Sequence, residues 1–245
     1  MKNRIYASVI LVNYNNSKYL KRCIKSLNSQ TNKNFEIIFI DDNSKDNSIK
    51  LIKKIKKKIP FKLFSTKSKT KFGGYNQLNA CKLGIKKSSG EIIFFLDSDD
   101  FFDKKKIEVV LKKFTLEKDI FFIMDKPFFY FNKKNKYAMK IKDRNQFLIP
   151  WPQISPQSCI AIKKKYLKKI LNKIQIKRFP SIWFDFRLTL QVFLDFKKLN
   201  IINKHLTYYQ QSNTGVSSNY KKFSLNWWKR RCEAHNFYLY LCKKN

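Results

Sequence analysis

The sequence predicts an α/β fold: a mostly parallel sheet with helices on both faces. Three observations lead there. Continuous apolar runs recur at "ASVILV" (7–12), "FEIIFIDD" (35–42) and "EIIFFLD" (91–97), the pattern of strands covered on both faces. Stretches with apolar residues at helical spacing lie between them. The resulting order over the first hundred residues is β-α-β-α-β-α-β, which implies right-handed crossovers.

The elements follow in order. "NYNNS" breaks the first strand, and Ser17 is placed to cap a helix. Tyr19, Leu20, Cys23, Ile24 and Leu27 form its apolar stripe. After the second strand, "NSKDNS" is a turn with Asp46 as N-cap, and Ile49, Ile52, Ile55 and Ile59 mark a helix stopped by Pro60. "FKLFS" (61–65) is a short strand. A polar loop reaches Gly73 and Gly74, and a helix from about Tyr75 to Lys87 ends near Gly90. The strand over 91–97 then runs into "LDSDD".

That ending needs a reason. The chain has 53 Lys plus Arg against 17 Asp plus Glu, yet places Asp97, Asp99 and Asp100 within four positions. Parallel strands bring the "IDD" acids, Asp41 and Asp42, to the same sheet edge, where ligands of such sheets bind. Asp97 and Asp99 are two apart, so in extended chain they point the same way. Mg²⁺ or Mn²⁺ takes one or two carboxylates and completes its shell with water and phosphate oxygens. Gly73-Gly74 is neither a Walker A nor a GxGxxG motif, so a metal must carry the phosphate binding. A metal-bound diphosphate is the implied ligand. Either acidic motif alone also suits a turn or the cap of a helix starting near Lys104. Both on one edge favour a ligand site.

Composition sets the outer bounds. The 245 residues, 43% hydrophobic with 23 Phe and 12 Tyr, form a folded chain with a sizeable core. A net charge of +36 attracts anionic partners. Of the basic residues only seven are Arg, a Lys-rich bias that an AT-rich genome also produces. Cys23, Cys81, Cys159, Cys232 and Cys242 include no CxxC pair, so neither a zinc site nor a disulfide framework is indicated. Two histidines exclude a His-rich metal centre. No apolar run reaches a bilayer-spanning length, and "MKNRIYASVILVNYNN" reads as a buried strand rather than an export signal. The expected location is the cytoplasm, with the inner membrane face as a peripheral site.

At these residues the chain resembles a family-2 nucleotide-sugar glycosyltransferase of the GT-A fold. The matching stretches are "SVILVNYNNSKYLKRCIKSLNSQTNKNFEIIFIDDNSKDNS" and "GGYNQLNACKLGIKKSSGEIIFFLDSDD", with weaker ones at "IWFDFRLTLQVF" and "LTYYQQSNTGVSS". The resemblance covers 5–105 strongly and 150–218 thinly. It implies a Rossmann-like, mostly parallel sheet flanked by helices, an acceptor-side α/β extension and a C-terminal helix. Residues 1–105 would bind the donor, 106–218 the acceptor within the same domain, and 219–245 would form a basic aromatic tail.

The resemblance also implies roles. Asn13, Tyr14 and Asn15 would border the nucleotide base, with Asp41 beside them and Asp42 accepting a hydrogen bond from it. Asp97 and Asp99 look like the family's DxD motif: Asp97 near the nucleotide, Asp99 holding Mn²⁺ or Mg²⁺ against the diphosphate. Ser98 and Asp100 would complete that turn, and Gln77 and Asn79 would lie near the donor. Asp185 matches the general base, with Phe184 where relatives often carry a second acid. Arg187 could pair with Asp185, touch phosphate or face solvent. Where some relatives hold the metal with a histidine, this chain offers Ser212, with His205 upstream.

The implied reaction is inverting transfer of a sugar, from a UDP-sugar by expectation, to a hydroxyl of a glycan or lipid-linked glycan in bacterial surface polysaccharide, lipooligosaccharide or glycoprotein glycan synthesis. The tail "KFSLNWWKRRCEAHNFYLYLCKK" suits an anionic membrane surface, or a helix packing Trp227, Trp228, Phe237 and Leu241 on the core. "IPWPQISPQSC" (149–159) is expected to be an acceptor-side loop. A degenerate, non-catalytic member and a basic nucleic-acid binder are the alternatives. The second needs no Asp97 or Asp99. A nucleotidyltransferase would carry a glycine- and basic-rich loop where this chain has "NYNNSKY".

Overall fold

The computed structural model describes residues 6–57, 59–67, 70–132, 134–138, 150–211 and 220–244. The expected alternation is present. β1 (Ala7–Asn13), α1 (Ser17–Asn28), β2 (Phe35–Asp41), α2 (Ser48–Lys56), β3 (Lys62–Ser65), α3 (Gly73–Lys87) and β4 (Ile92–Asp97) follow in sequence. Every residue of β1 is buried, because α-helices cover both sheet faces. Leu20, Cys23, Ile24 and Leu27 of α1 pack on one face, and Leu78, Cys81 and Ile85 of α3 on the other.

Local corrections have clear causes. Asn16, not Ser17, occupies the N-cap of α1. The Ser17 N–H is instead held by Asp46 Oδ2 at 2.9 Å, which ties α1 to the turn before α2. Asn47 is the N-cap of α2, with Asp46 Oδ1 accepting from the Ser48 N–H. α2 stops at Lys56, before Ile59 and Pro60. Gly90 is not the helix cap, which is Ser88; a Cβ at Gly90 would come within 2.4 Å of the Ala7 carbonyl carbon.

Beyond β4 the chain adds β5 (Phe101–Phe102), α4 (Lys106–Leu116), β6 (Phe122–Tyr130) and β7 (Lys136–Ala138). A single 3₁₀ turn (Gln157–Cys159), β8 (Ile160–Lys163), α5 (Lys164–Ile174), α6 (Phe184–Phe196), β9 (Ile201–Gln210) and α7 (Leu225–Cys242) complete it. The strand order is β3-β2-β1-β4-β8-β6-β9-β5, with β7 paired to β6. β1 to β4 pair in parallel, as do β6 and β9. β8 runs against both β4 and β6, so the sheet is mixed in its second half. β6 carries Pro127 at a register shift against β9, where the missing N–H is tolerated.

β6 is held by a buried ion pair: Lys106 Nζ lies 2.6 Å from Asp125 Oδ1, both side chains fully buried. Lys106 also donates to the Ser158 carbonyl and Thr207 Oγ1, joining α4, β6, the 3₁₀ turn and β9. Burial pushes the Asp125 carboxyl up, opposed by Lys106. Lys106→Met should therefore cost about 3–5 kcal/mol, since it strands a buried carboxylate. Urea unfolding at neutral pH measures this. The deficit should shrink on acidification, because a protonated Asp125 needs no counter-ion.

α6 lies between the sheet and α7. Phe184, Leu188 and Val192 face the sheet core, and Phe186, Leu190 and Leu194 meet Phe237 and Leu241 of α7. None of the three expectations for Arg187 holds. Its guanidinium is buried and donates to the carbonyls of Ile174, Ile176, Phe179 and Ile182, stapling the loop between α5 and α6. The tail packs through Phe237 and Leu241, while Trp228 is half exposed. No helix among the described residues is long and apolar enough to cross a membrane.

Candidate active site

Register fixes the site first. Asn13 pairs with Asp41 and Val12 with Asp97, so both acidic strand ends flank the end of β1. The carboxyl ends of β6 and β9 arrive at this edge too, because those strands run the same way. β8 runs oppositely, so the turn that precedes it begins where the parallel strands end. That turn delivers Gln157 and Ser158 to the acids.

The acids have different neighbours. Asp97 is half-buried; its Oδ1 accepts from Gln157 Nε2 at 2.9 Å, and its N–H donates to Ser158 Oγ. Asp100 is fully buried, accepting from Ser158 Oγ at 2.5 Å and from the Gln210 N–H at 2.8 Å. Ser98 is buried and its Oγ accepts from Asn16 Nδ2. Asp99 is half-buried, and its carbonyl, not its carboxylate, accepts from Arg22 Nη2 at 2.8 Å. Arg22 lies over the Phe101 and Tyr130 rings and also donates to Gln210 Oε1.

These groups repel one another. Burial, then the charges of Asp99 and Asp185, push the Asp97 carboxyl well above the usual range, against a hydrogen bond from Gln77. Burial and the Asp99 and Asp97 charges do the same to Asp100. Burial pushes Asp99 up, and Arg22 and Lys18 pull it back. Tyr209 on β9 is raised by burial and by the same carboxylates.

Divalent-metal chemistry fits this set in one way. Asp100 spends both oxygens on Ser158 and Gln210, so Asp97 and Asp99 are the carboxylates of this turn that could hold a cation. No cluster of three or more His, Cys, Asp or Glu in ligating arrangement exists among the described residues. Two carboxylates with the remaining positions open to water and diphosphate is the arrangement Mg²⁺ and Mn²⁺ take with nucleotides. His205 stays away: it packs on Phe128 with Nδ1 against the Pro127 carbonyl. Ser212 lies outside the described residues.

The base-side residues divide. Asp41 does not face the crevice. It is buried, with Oδ1 accepting from Asn13 Nδ2 and Ser44 Oγ, and Oδ2 from the Ser44 N–H. Its role is the turn and the orientation of Asn13, whose Oδ1 is left buried without a partner. Asp42 Oδ1 accepts from Thr66 Oγ1 at 2.7 Å. Asn15 adopts φ 50° and caps the Lys45 N–H, while Tyr14 is exposed. Gln77 reaches Asp97, and its Oε1 also meets the Phe184 N–H at 3.4 Å. Asn79, two residues on in the same helix, projects about 200° around the axis from Gln77.

Asp185 opens α6 beside this cluster. Gly74 makes the approach workable, since a Cβ there would sit 2.8 Å from the Ile182 carbonyl oxygen. Burial lifts the Asp185 carboxyl to about 6, opposed by the Phe186 N–H and by Arg230. Phe184 is buried edge-on against Phe95 at 4.9 Å, so core packing occupies the position of the second acid. Asp185 lines a cavity of about 370 Å³ with Trp151, Trp183, Tyr220, Trp227 and Arg230.

Residues 8–171 match the family described as "Glycosyl transferase family 2". The chain belongs to that family. A glycosyltransferase of Rickettsia conorii is 40% identical over 134 residues, covering 55% of this chain and 21% of that protein. The chain thus spans about a fifth of that relative's length. The poly(ribitol-phosphate) β-N-acetylglucosaminyltransferase TarP of Staphylococcus aureus is 30% identical over 229 residues, 87% of this chain and 64% of that protein. The crystal structure of S. aureus TarS 1-349 in complex with UDP superposes with a TM-score of 0.65 at 17% identity, over 95% of this chain and 70% of that one. The fold is therefore GT-A.

Four residues that contact the acidic cluster carry no motif in the sequence: Arg22, Gln157, Ser158 and Gln210. The proline loop ending at Cys159 lines the Asp185 cavity through Trp151 and Ile154, and its last residues brace the acids. The available signal was "PQSC" just ahead of an apolar strand, a polar turn at a strand's start.

Proposed function

We propose that this chain transfers a sugar from a UDP-sugar to a hydroxyl of a glycan or lipid-linked glycan, with inversion, assisted by Mn²⁺ or Mg²⁺. The observation that carries this reading is that Asp99 and Asp185 both lie close enough to Asp97 for their charges to raise its carboxyl. The donor residues would be Asn13, Asp42, Gln77, Asp97 and Asp99. The unpartnered Asn13 Oδ1 offers an acceptor to a base N–H. UDP is favoured because the superposed TarS structure is a UDP complex. The metal, held by Asp97 and Asp99, would offset charge on the departing diphosphate. Ser158, Gln157 and Gln210 would keep those carboxylates in place. Asp185 would take the acceptor hydroxyl's proton during attack on the anomeric carbon.

Peripheral membrane attachment is a subsidiary part of the proposal. It is supported by exposed Phe223, Leu225 and Trp228 beside Lys221, Lys222 and Lys229. TarP's name gives poly(ribitol-phosphate) as that enzyme's acceptor.

A thermal-shift screen of UDP, GDP, CDP and TDP, each with and without Mn²⁺, tests the reading. UDP at about 100-fold over its Kd should add about 2.7 kcal/mol, or roughly 5–10 °C for a chain of this size, only with metal present. Stabilisation by none of the four sinks the proposal.

A further inference from the structure

Two arginines of similar burial behave oppositely. Arg187 donates to four backbone carbonyls. Arg230 on α7 is 5% exposed, yet Nε, Nη1 and Nη2 all lack hydrogen-bond partners. Its guanidinium lies against the rings of Trp183 and Tyr220, the latter centroid 4.0 Å away. Rings cover the faces of the cation but leave its in-plane N–H groups unserved. Asp185 and Glu233 attract it without forming an ion pair, and Glu233 Oε1 is engaged with the Ser181 N–H. Burial lowers the Arg230 pKa only to about 9, so it stays charged at neutral pH.

An unpaired buried guanidinium is costly, and an oxyanion is its best partner, through two parallel N–H···O bonds. Arg230 lines the 370 Å³ cavity that also holds Asp185. Arg231 lines it as well, over the Trp227 ring at 4.7 Å. The cavity wall thus offers guanidinium and aromatic groups next to a single carboxylate.

We propose that Arg230 binds an oxyanion of the acceptor, so that the substrate presents its hydroxyl to Asp185 and an anionic group, a phosphate or a carboxylate, to α7. The inference rests on Asp185 marking the acceptor side of the proposed transferase. It adds the chemical class of the acceptor: a polyol or sugar that carries a negative charge close to the attacking hydroxyl. A neutral sugar would leave Arg230 unserved.

The probes are glycerol phosphate and glucuronate, titrated into the full chain with Trp fluorescence as readout, since Trp151, Trp183 and Trp227 line the cavity. Wild type should bind one of them saturably. Arg230→Gln should weaken that binding at least tenfold, and Arg230→Lys should recover part of it, keeping charge but losing the planar fork. A preference for phosphate or for carboxylate identifies the acceptor's anion. The UDP thermal shift, run on each variant, reports folding and the donor site separately. The inference is overturned if wild type binds neither probe, if both variants bind as wild type does, or if UDP displaces the probe competitively, which would place it in the donor site. If Arg230→Gln is unfolded, the Arg230→Lys titration and the UDP competition on wild type decide. Probe binding without any UDP response would instead fail the donor assignment while the anion site stands.

Discussion

Asp99→Asn is expected to remove the Mn²⁺-dependent part of UDP stabilisation while leaving the metal-free melting temperature within about 2 °C of wild type. The reason is the division of labour among the acids. Asp100 is tied to Ser158 and Gln210, and Asp97 to Gln157 and Gln77, whereas the contacts placed at Asp99 run through its carbonyl to Arg22. Removing the Asp99 charge therefore costs little packing and relieves repulsion on Asp97 and Asp100. Turnover should fall by about 10³-fold, the equivalent of roughly 4 kcal/mol of leaving-group stabilisation. Asp100→Asn should behave differently, losing fold stability because it disturbs a buried hydrogen bond network. Equal metal-dependent UDP shifts in wild type and Asp99→Asn would remove Asp99 from the metal site.

Asp185→Asn should lower kcat by about 10²–10⁴-fold and leave UDP binding unchanged. The pH profile separates a base from a structural carboxylate. A general base works deprotonated, and burial has raised this carboxyl to about 6. The rate should therefore climb as pH rises through about 6 and level off above 7. That limb should vanish in Asp185→Asn. Phe184→Asp offers a contrast: added to the Asp185→Asn variant it would not restore activity, since position 184 points into the core against Phe95. A flat pH profile in wild type, or undiminished turnover in Asp185→Asn, would reassign the base.

Much of the first half was legible because its signals are local. Buried parallel strands read as unbroken apolar runs, and their acidic ends fall on one edge by the right-handed crossover rule alone. That rule placed Asp97 to Asp100 beside Asp41 and Asp42. It could not say which oxygens were already spent. Asp41 and Asp42 look alike in "IDD", yet the Asp41 carboxylate holds the Ser44 turn and Asn13. Arg187 reads in the sequence as a charge beside Asp185, but four carbonyls that end α5 and shape the next loop claim it.

The sequence by itself determined the parallel half of the sheet, the edge at which its strands end in acid, and the acidic residues gathered there. Periodicity and strand direction suffice for that. Only the tertiary structure decided what surrounds those acids. The reversal of β8 brings Gln157 and Ser158 to the edge where parallel strands finish, and β9 brings Gln210 from far along the chain. Strand direction in a mixed sheet depends on pairing energies between distant segments, and no local pattern records it. The same holds for Arg230: a basic residue in a basic tail reads as surface charge until α7 folds back and encloses it between Trp183 and Tyr220.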